Sequence, residues 1–130
     1  MVKFCLLIGL FAAPVAFAGD MTFAEAKALA HHDEASLSAK QQQALVQAQE
    51  PVIQSALLSC VAANRPGPFS FVVVAELDAA GKVQKTWRND ESKLGGCFQG
   101  VVAKASLNAP PRSPFYSSFE VNVRAGGAGQ

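Results

Sequence analysis

His31-His32-Asp33-Glu34 sets four ionisable side chains in consecutive positions, and imidazole with carboxylate is the donor set of a metal site. The spacing argues against it. Neighbours on a helix point about 100° apart, whereas a helix that holds a metal sets its ligands three or four residues apart on one face. The four therefore read as solvated groups in a loop or at a helix terminus, with no metal and no cofactor. Ser36 and Ser38 lie near the histidines, but no G-x-S-x-G elbow surrounds either. Gly95-Gly96 with Gly100 lacks the Lys-Ser or Lys-Thr that completes a phosphate loop. The thiols are better suited to a bridge than to nucleophilic chemistry, so the chain reads as a non-enzyme.

Where the chain goes is written in its first residues. Met1-Val2-Lys3 is a short basic start, Phe4 to Phe17 is apolar with a break at Pro14, and Ala16-Phe17-Ala18 is the small-x-small pattern of a signal-peptidase site. Residues 1–18 are expected to leave as a signal peptide, because the apolar run is short of the ~20 residues that span a bilayer. Cys5 follows Val-Lys-Phe and no lipobox, which argues against a lipid anchor. The product is a periplasmic or secreted protein with no stable membrane anchor after cleavage. Of 11 cations, Lys3 departs with the leader and leaves ten against ten anions. A near-neutral chain argues against nucleic acid or an anionic membrane surface as partner.

The remaining length, half of it hydrophobic, suits one globular domain. Thr22 and Glu25 form a T-x-x-E capping box, and Phe23, Ala26, Leu29 and Ala30 stripe the helix that follows. Residues 19–50 read as an N-terminal helical arm that docks on the domain. A long helix begins at Ser36 or Ser38, with Gln41, Gln42, Gln43 and Gln47 exposed and Leu45, Val46, Val52, Ile53, Ala56, Leu57, Cys60 and Val61 as its apolar stripe. Pro51 lacks an amide hydrogen, so the helix is expected to restart there, and the main domain is drawn as 51–124. Asn64-Arg65-Pro66-Gly67-Pro68 ends it.

Phe69 to Arg88 is the centre of that domain. Phe69, Phe71, Val73, Ala75 and Leu77 alternate with the intervening residues and form the core face of a strand. Val72 and Val74 on the opposite face call for partial cover there, for which the arm is available. Asp78-Ala79-Ala80-Gly81 reverses the chain. The return strand sets Val83, Lys85 and Trp87 on one face and Gln84, Thr86 and Arg88 on the other.

Asn89 to Ser92 cap a second helix with apolar Leu94, Cys97, Phe98, Val101, Val102 and Ala105. Its glycines each cost about 1 kcal/mol against Ala, and close seating on the sheet would explain them. Pro110-Pro111 stops the chain before a third strand in which Phe115, Ser117, Phe119, Val121 and Val123 alternate with Tyr116, Ser118, Glu120, Asn122 and Arg124. Residues 125–130 read as a flexible glycine-rich tail.

A crossover through the second helix returns the third strand to the free side of the first, in the order 2-1-3. The predicted fold is α+β: a three-stranded antiparallel sheet with two helices on one face, preceded by the arm. Cys60 and Cys97 lie on apolar helix faces over one sheet in an oxidising compartment, which predicts a disulfide between them. Lys82, Lys85 and Arg88 guard the second strand. The third presents Tyr116, Ser118, Glu120 and Asn122 outward as an exposed edge. The alternative is that the N-terminal arm covers this edge or that the edge is merely solvated.

Cys60, FSFVVVAELDAAGKVQKTW, Cys97 and Ala109-Pro110-Pro111 before a final alternating strand together resemble the TonB C-terminal domain superfamily. The resemblance is strongest to its two-cysteine, AgmX-like branch, and it covers roughly residues 51–124. It implies a protein-recognition domain whose sheet edge accepts a partner segment. Departures are the absence of a proline-rich spacer and of a retained anchor, and Glu50-Pro51 where an aromatic–Pro pair is usual. They leave the recognition module without energy transduction. The expected function is a periplasmic adaptor that binds a protein of the cell envelope, or a second copy of itself, by strand addition. The alternative is an inhibitor or immunity-type protein that blocks a toxin or hydrolase.

Overall fold

The structure, a computed structural model, describes residues 20–64 and 68–123. The proposed leader, Cys5 within it and the C-terminal tail lie outside the described residues.

Helix α1 spans Phe23–Ala35, and the Thr22 hydroxyl accepts the Glu25 amide at 3.2 Å. Helix α2 spans Ala39–Asn64 and opens on a reciprocal capping box. Its Gln41 amide donates to Ser38 Oγ at 3.2 Å and its Ser38 amide to Gln41 Oε1 at 2.9 Å. Pro51 sits inside this continuous helix, so the expected restart does not occur, and the boundary drawn at residues 50 and 51 falls within α2. Gln47 and Pro51 are both exposed, so water can reach the Gln47 carbonyl that loses its helical donor.

Strands β1 (Phe69–Leu77), β2 (Val83–Arg88) and β3 (Phe115–Val123), with helix α3 (Lys93–Ala103) between the last two, form an antiparallel sheet in the order β2-β1-β3. The β1–β2 turn is built by Asp78, whose Oδ1 accepts the amides of Ala80 and Lys82 at 2.9 Å. Gly81 adopts φ 88°, and a Cβ there would lie 2.3 Å from the Leu107 carbonyl oxygen, so conformation and space both demand glycine.

One face of the sheet carries Phe71, Val73, Leu77, Phe115 and Phe119, packed with Phe98, Val102, Ala56 and Cys60 from α3 and α2. Phe71 and Phe98 meet edge to face at 5.0 Å. Cys60 and Cys97 are disulfide-bonded, with Cα atoms 5.7 Å apart, and so tie α2 to α3 over this core. The opposite face carries Val72, Val74, Tyr116 and Trp87, covered by Ala26 and Ala30 of α1. The arm therefore forms a third layer, and Val74 is fully buried beneath it.

Two expectations about packing change. Register shifts between Glu76 and Leu77, where Glu76 pairs with Lys85 but Leu77 with Val83, leaving Gln84 as a bulge. Val83 consequently enters the α2/α3 core while Trp87 enters the α1 layer, although they were expected on one face. The glycines of α3 also serve another purpose than close seating on the sheet. A Cβ on Gly95 would lie 2.1 Å from Asp90 Oδ1, so this glycine makes room for a side chain at the helix N-terminus, and Gly100 faces open space.

A candidate protein-binding edge

β3 is a sheet edge, and its parity can be read from its neighbours. The amides of Tyr116 and Ser118 point away from β1, so Glu120 and Asn122 also point their main-chain groups outward while the odd residues bond β1. The outward row is not uniform. Asp33 Oδ2 accepts the Tyr116 amide at 3.0 Å, and Glu34 Oε1 accepts the Ser118 amide at 3.2 Å. Gln49 of α2 donates through Nε2 to the Ser118 carbonyl at 3.1 Å and to Ser117 Oγ at 2.7 Å. The end of α1 and the middle of α2 thus stand in for a fourth strand over Tyr116–Ser118. Beyond that point no described residue bonds the outward main-chain groups of Glu120 and Asn122.

The expected exposed edge therefore shrinks. Tyr116 and Ser118 are buried, at 7% and 8% exposure, because their side chains lie on the face that α1 covers. Tyr116 packs beside Trp87 and donates its hydroxyl to Glu76 Oε1 at 2.8 Å, and burial, with Glu76, pushes the phenol up to about 12. Glu120 and Asn122 are exposed. At the other edge Lys82 and Lys85 are exposed, whereas Arg88 turns to α3 and donates to Gln99 Oε1 at 2.9 Å.

Asp33 and Glu34 differ in their electrostatics. Burial would raise the Asp33 carboxyl, but Arg112 at 2.8 Å, the Tyr116 amide and His32 outweigh it and hold the group below its usual 3.8. Glu34 has no such cation in contact, and burial pushes it up to about 7 against the opposing pull of the Ser118 amide and Lys27. Lys27 itself pairs with Glu120 and donates to Ser118 Oγ at 3.0 Å. These groups surround an open groove of about 500 Å³ between α1 and α2, which has Ser118 and Glu120 along it and exposed Val46 on its α2 wall. A smaller apolar cleft of about 160 Å³ lies between α2 and Pro110-Pro111, against Leu77 and Phe115.

The four-residue acidic and imidazole cluster is thus divided. His31 and His32 are exposed, while Asp33 and Glu34 serve the edge, a role that the solvated reading missed. Among the described residues no three His, Cys, Asp or Glu side chains are placed to hold a metal. Ser36 is committed to the Asp33 carbonyl and Arg112, and Ser38 to capping α2. The signal that could have exposed the acidic pair is indirect: an arm that docks beside an edge strand needs acceptors for that strand's amides, and its last turn offers two. Comparison with protein-family models, with curated proteins and with solved structures finds no match for this chain.

Proposed function

We propose that this chain is an exported, non-enzymatic protein-binding module that takes an extended partner segment onto the outer half of β3. The observation that carries this reading is the division of the edge: Tyr116–Ser118 is satisfied internally, while no described residue bonds the outward main-chain groups of Glu120 and Asn122, and Glu120 lines an open groove. Strand addition draws affinity from such groups and selectivity from alternate side chains. Two outward residues offer up to four main-chain hydrogen bonds, each worth about 1 kcal/mol net, so contacts along the groove would have to supply the rest. The TonB-like sequence pattern points to the same edge. The leader and the disulfide suit a periplasmic setting, where an adaptor would serve the cell envelope.

Asn122→Pro tests the reading. Proline removes one outward amide and is tolerated on an edge strand, while Val121 and Val123 keep their bonds to β1. The mature protein, immobilised and exposed to a periplasmic extract, should retain a partner that the variant loses by at least about ten-fold, with the melting temperature of the variant within a few degrees of wild type. Undiminished retention by a folded variant would overturn edge recruitment. The retained protein also separates adaptor from inhibitor, since a toxin or hydrolase would indicate the second.

A further inference from the structure

We propose that Glu34 is a proton-controlled gate on the β3 edge: protonated, it lies in the groove against the Ser118 amide, and ionised, it swings to water and opens that amide to a partner strand. This rests on the edge-binding reading for its purpose, since it adds the Ser118 amide to the open groups of Glu120 and Asn122, while Gln49 keeps the Ser118 carbonyl.

The geometry gives Glu34 this freedom and denies it to Asp33. Asp33 is anchored twice, by the Tyr116 amide and by Arg112, and is buried. Glu34 makes one contact to β3, through a long side chain at the last turn of α1, with an open groove beside it. Leaving requires only a side-chain rotation, because Asp33 keeps the helix end in place. The groups that face Glu34 are Lys27, His31 and Asp33 from α1 and Glu120 from β3, and α2 presents the uncharged Gln42 and Gln49 to the groove. Lys27 is already paired with Glu120, and its pull on an ionised Glu34 is opposed by the Glu120 and Asp33 carboxylates and outweighed by burial.

The direction follows from linkage. In water the carboxyl ionises near 4.5, and in the groove near 7, because burial disfavours the charge. A carboxyl raised on docking favours the docked state at low pH, and that preference weakens about ten-fold per pH unit between the two values and is then flat. The whole change is at most roughly 300-fold and is reduced by the openness of the groove. The gate therefore closes as pH falls from 7 towards 4.5 and is at its most open above 7.

Amide hydrogen exchange of the mature protein, measured by NMR from pH 4.5 to 8 and corrected for intrinsic rates, reads the gate without any partner. Ser118 protection should fall at least ten-fold towards pH 7 and level off, while Tyr116 protection stays flat. Glu34→Gln should hold Ser118 protected at every pH, Glu34→Ala should leave it open at every pH, and His31→Gln should keep the wild-type profile. A Ser118 profile that is flat in wild type, shared by Glu34→Gln or lost in His31→Gln would overturn the gate. The result is independent of partner retention, so either reading can fail without the other.

Discussion

Asp33→Ala should be among the most damaging single substitutions outside the two apolar cores. Asp33 Oδ2 is the acceptor for the Tyr116 amide at 3.0 Å, and Tyr116 is 7% exposed, so the variant strands a buried donor. That loss is worth about 1–3 kcal/mol. The 2.8 Å ion pair to Arg112, whose side chain is 45% exposed, adds about 1 kcal/mol or less. Together they predict a loss of about 1–4 kcal/mol, a large share of the stability of a small domain. Asp33→Asn keeps an oxygen for Tyr116 but can turn its amide nitrogen towards Arg112, and should cost only about 1 kcal/mol. Urea unfolding followed by far-ultraviolet circular dichroism and by Trp87 emission measures both. Trp87 donates its indole N–H to the Met21 carbonyl at 2.7 Å, so its emission reports whether α1 stays docked. Non-coincident transitions in Asp33→Ala would mean that α1 detaches first. The advantage of wild type over Asp33→Asn should persist above pH 3.8 and vanish as the pH falls through the lower folded value, since a carboxyl depressed by folding stabilises only while ionised. A cost for Asp33→Ala below about 0.5 kcal/mol, or equal costs for the two variants, would refute the capping role.

The glycines of α3 should respond in opposite directions. Gly100→Ala meets nothing within 4 Å and should stabilise by about 0.5–1 kcal/mol, whereas Gly95→Ala forces Asp90 aside and should destabilise by about 1–3 kcal/mol despite its better helix propensity, both read by thermal melting. In exported protein Cys60 and Cys97 should resist alkylation until reduced. Their joint replacement by Ala should cost about 4 kcal/mol for a separation of 37 residues, and free thiols in the native protein would contradict the bridge.

Strand periodicity was legible in residue type, since Phe71 to Leu77 and Phe115 to Val121 set their large apolar side chains on one face, although α1 also buries Val74, Tyr116 and Ser118 on the other. The cysteine pair followed from the apolar helix faces that carry it, and the strand order from connection geometry. Pro51 misled because its local cost is paid where the helix faces water, and nothing local says which side of a helix will be wet. The misplacement of Trp87 had a similar origin, since strict alternation cannot register an extra residue in β2. The acidic pair at the end of α1 was hidden most deeply. A charged residue at a helix end reads as solvated unless one knows that strand amides, far away in the chain, lie beside it.

The bulge at Gln84 acts on the hairpin as a phase shift acts on a wave. Val83 and Trp87 are an even number of positions apart and would share a face in an unbroken strand, yet each belongs to a different layer. A residue whose side chain is exposed thus lets each anchor join its own layer, by standing outside the ladder and not by its chemistry. Length and identity therefore come under separate constraints in β2: many side chains could replace Gln84, and its deletion would leave Val83 and Trp87 three positions apart on opposite faces of an unbroken strand, whereas a second deletion between them would set the two in competition for one face. The exposed Asn108–Ala109 and Pro111–Pro114 stretches, which answer to no pleat, are where this chain can change length without changing phase.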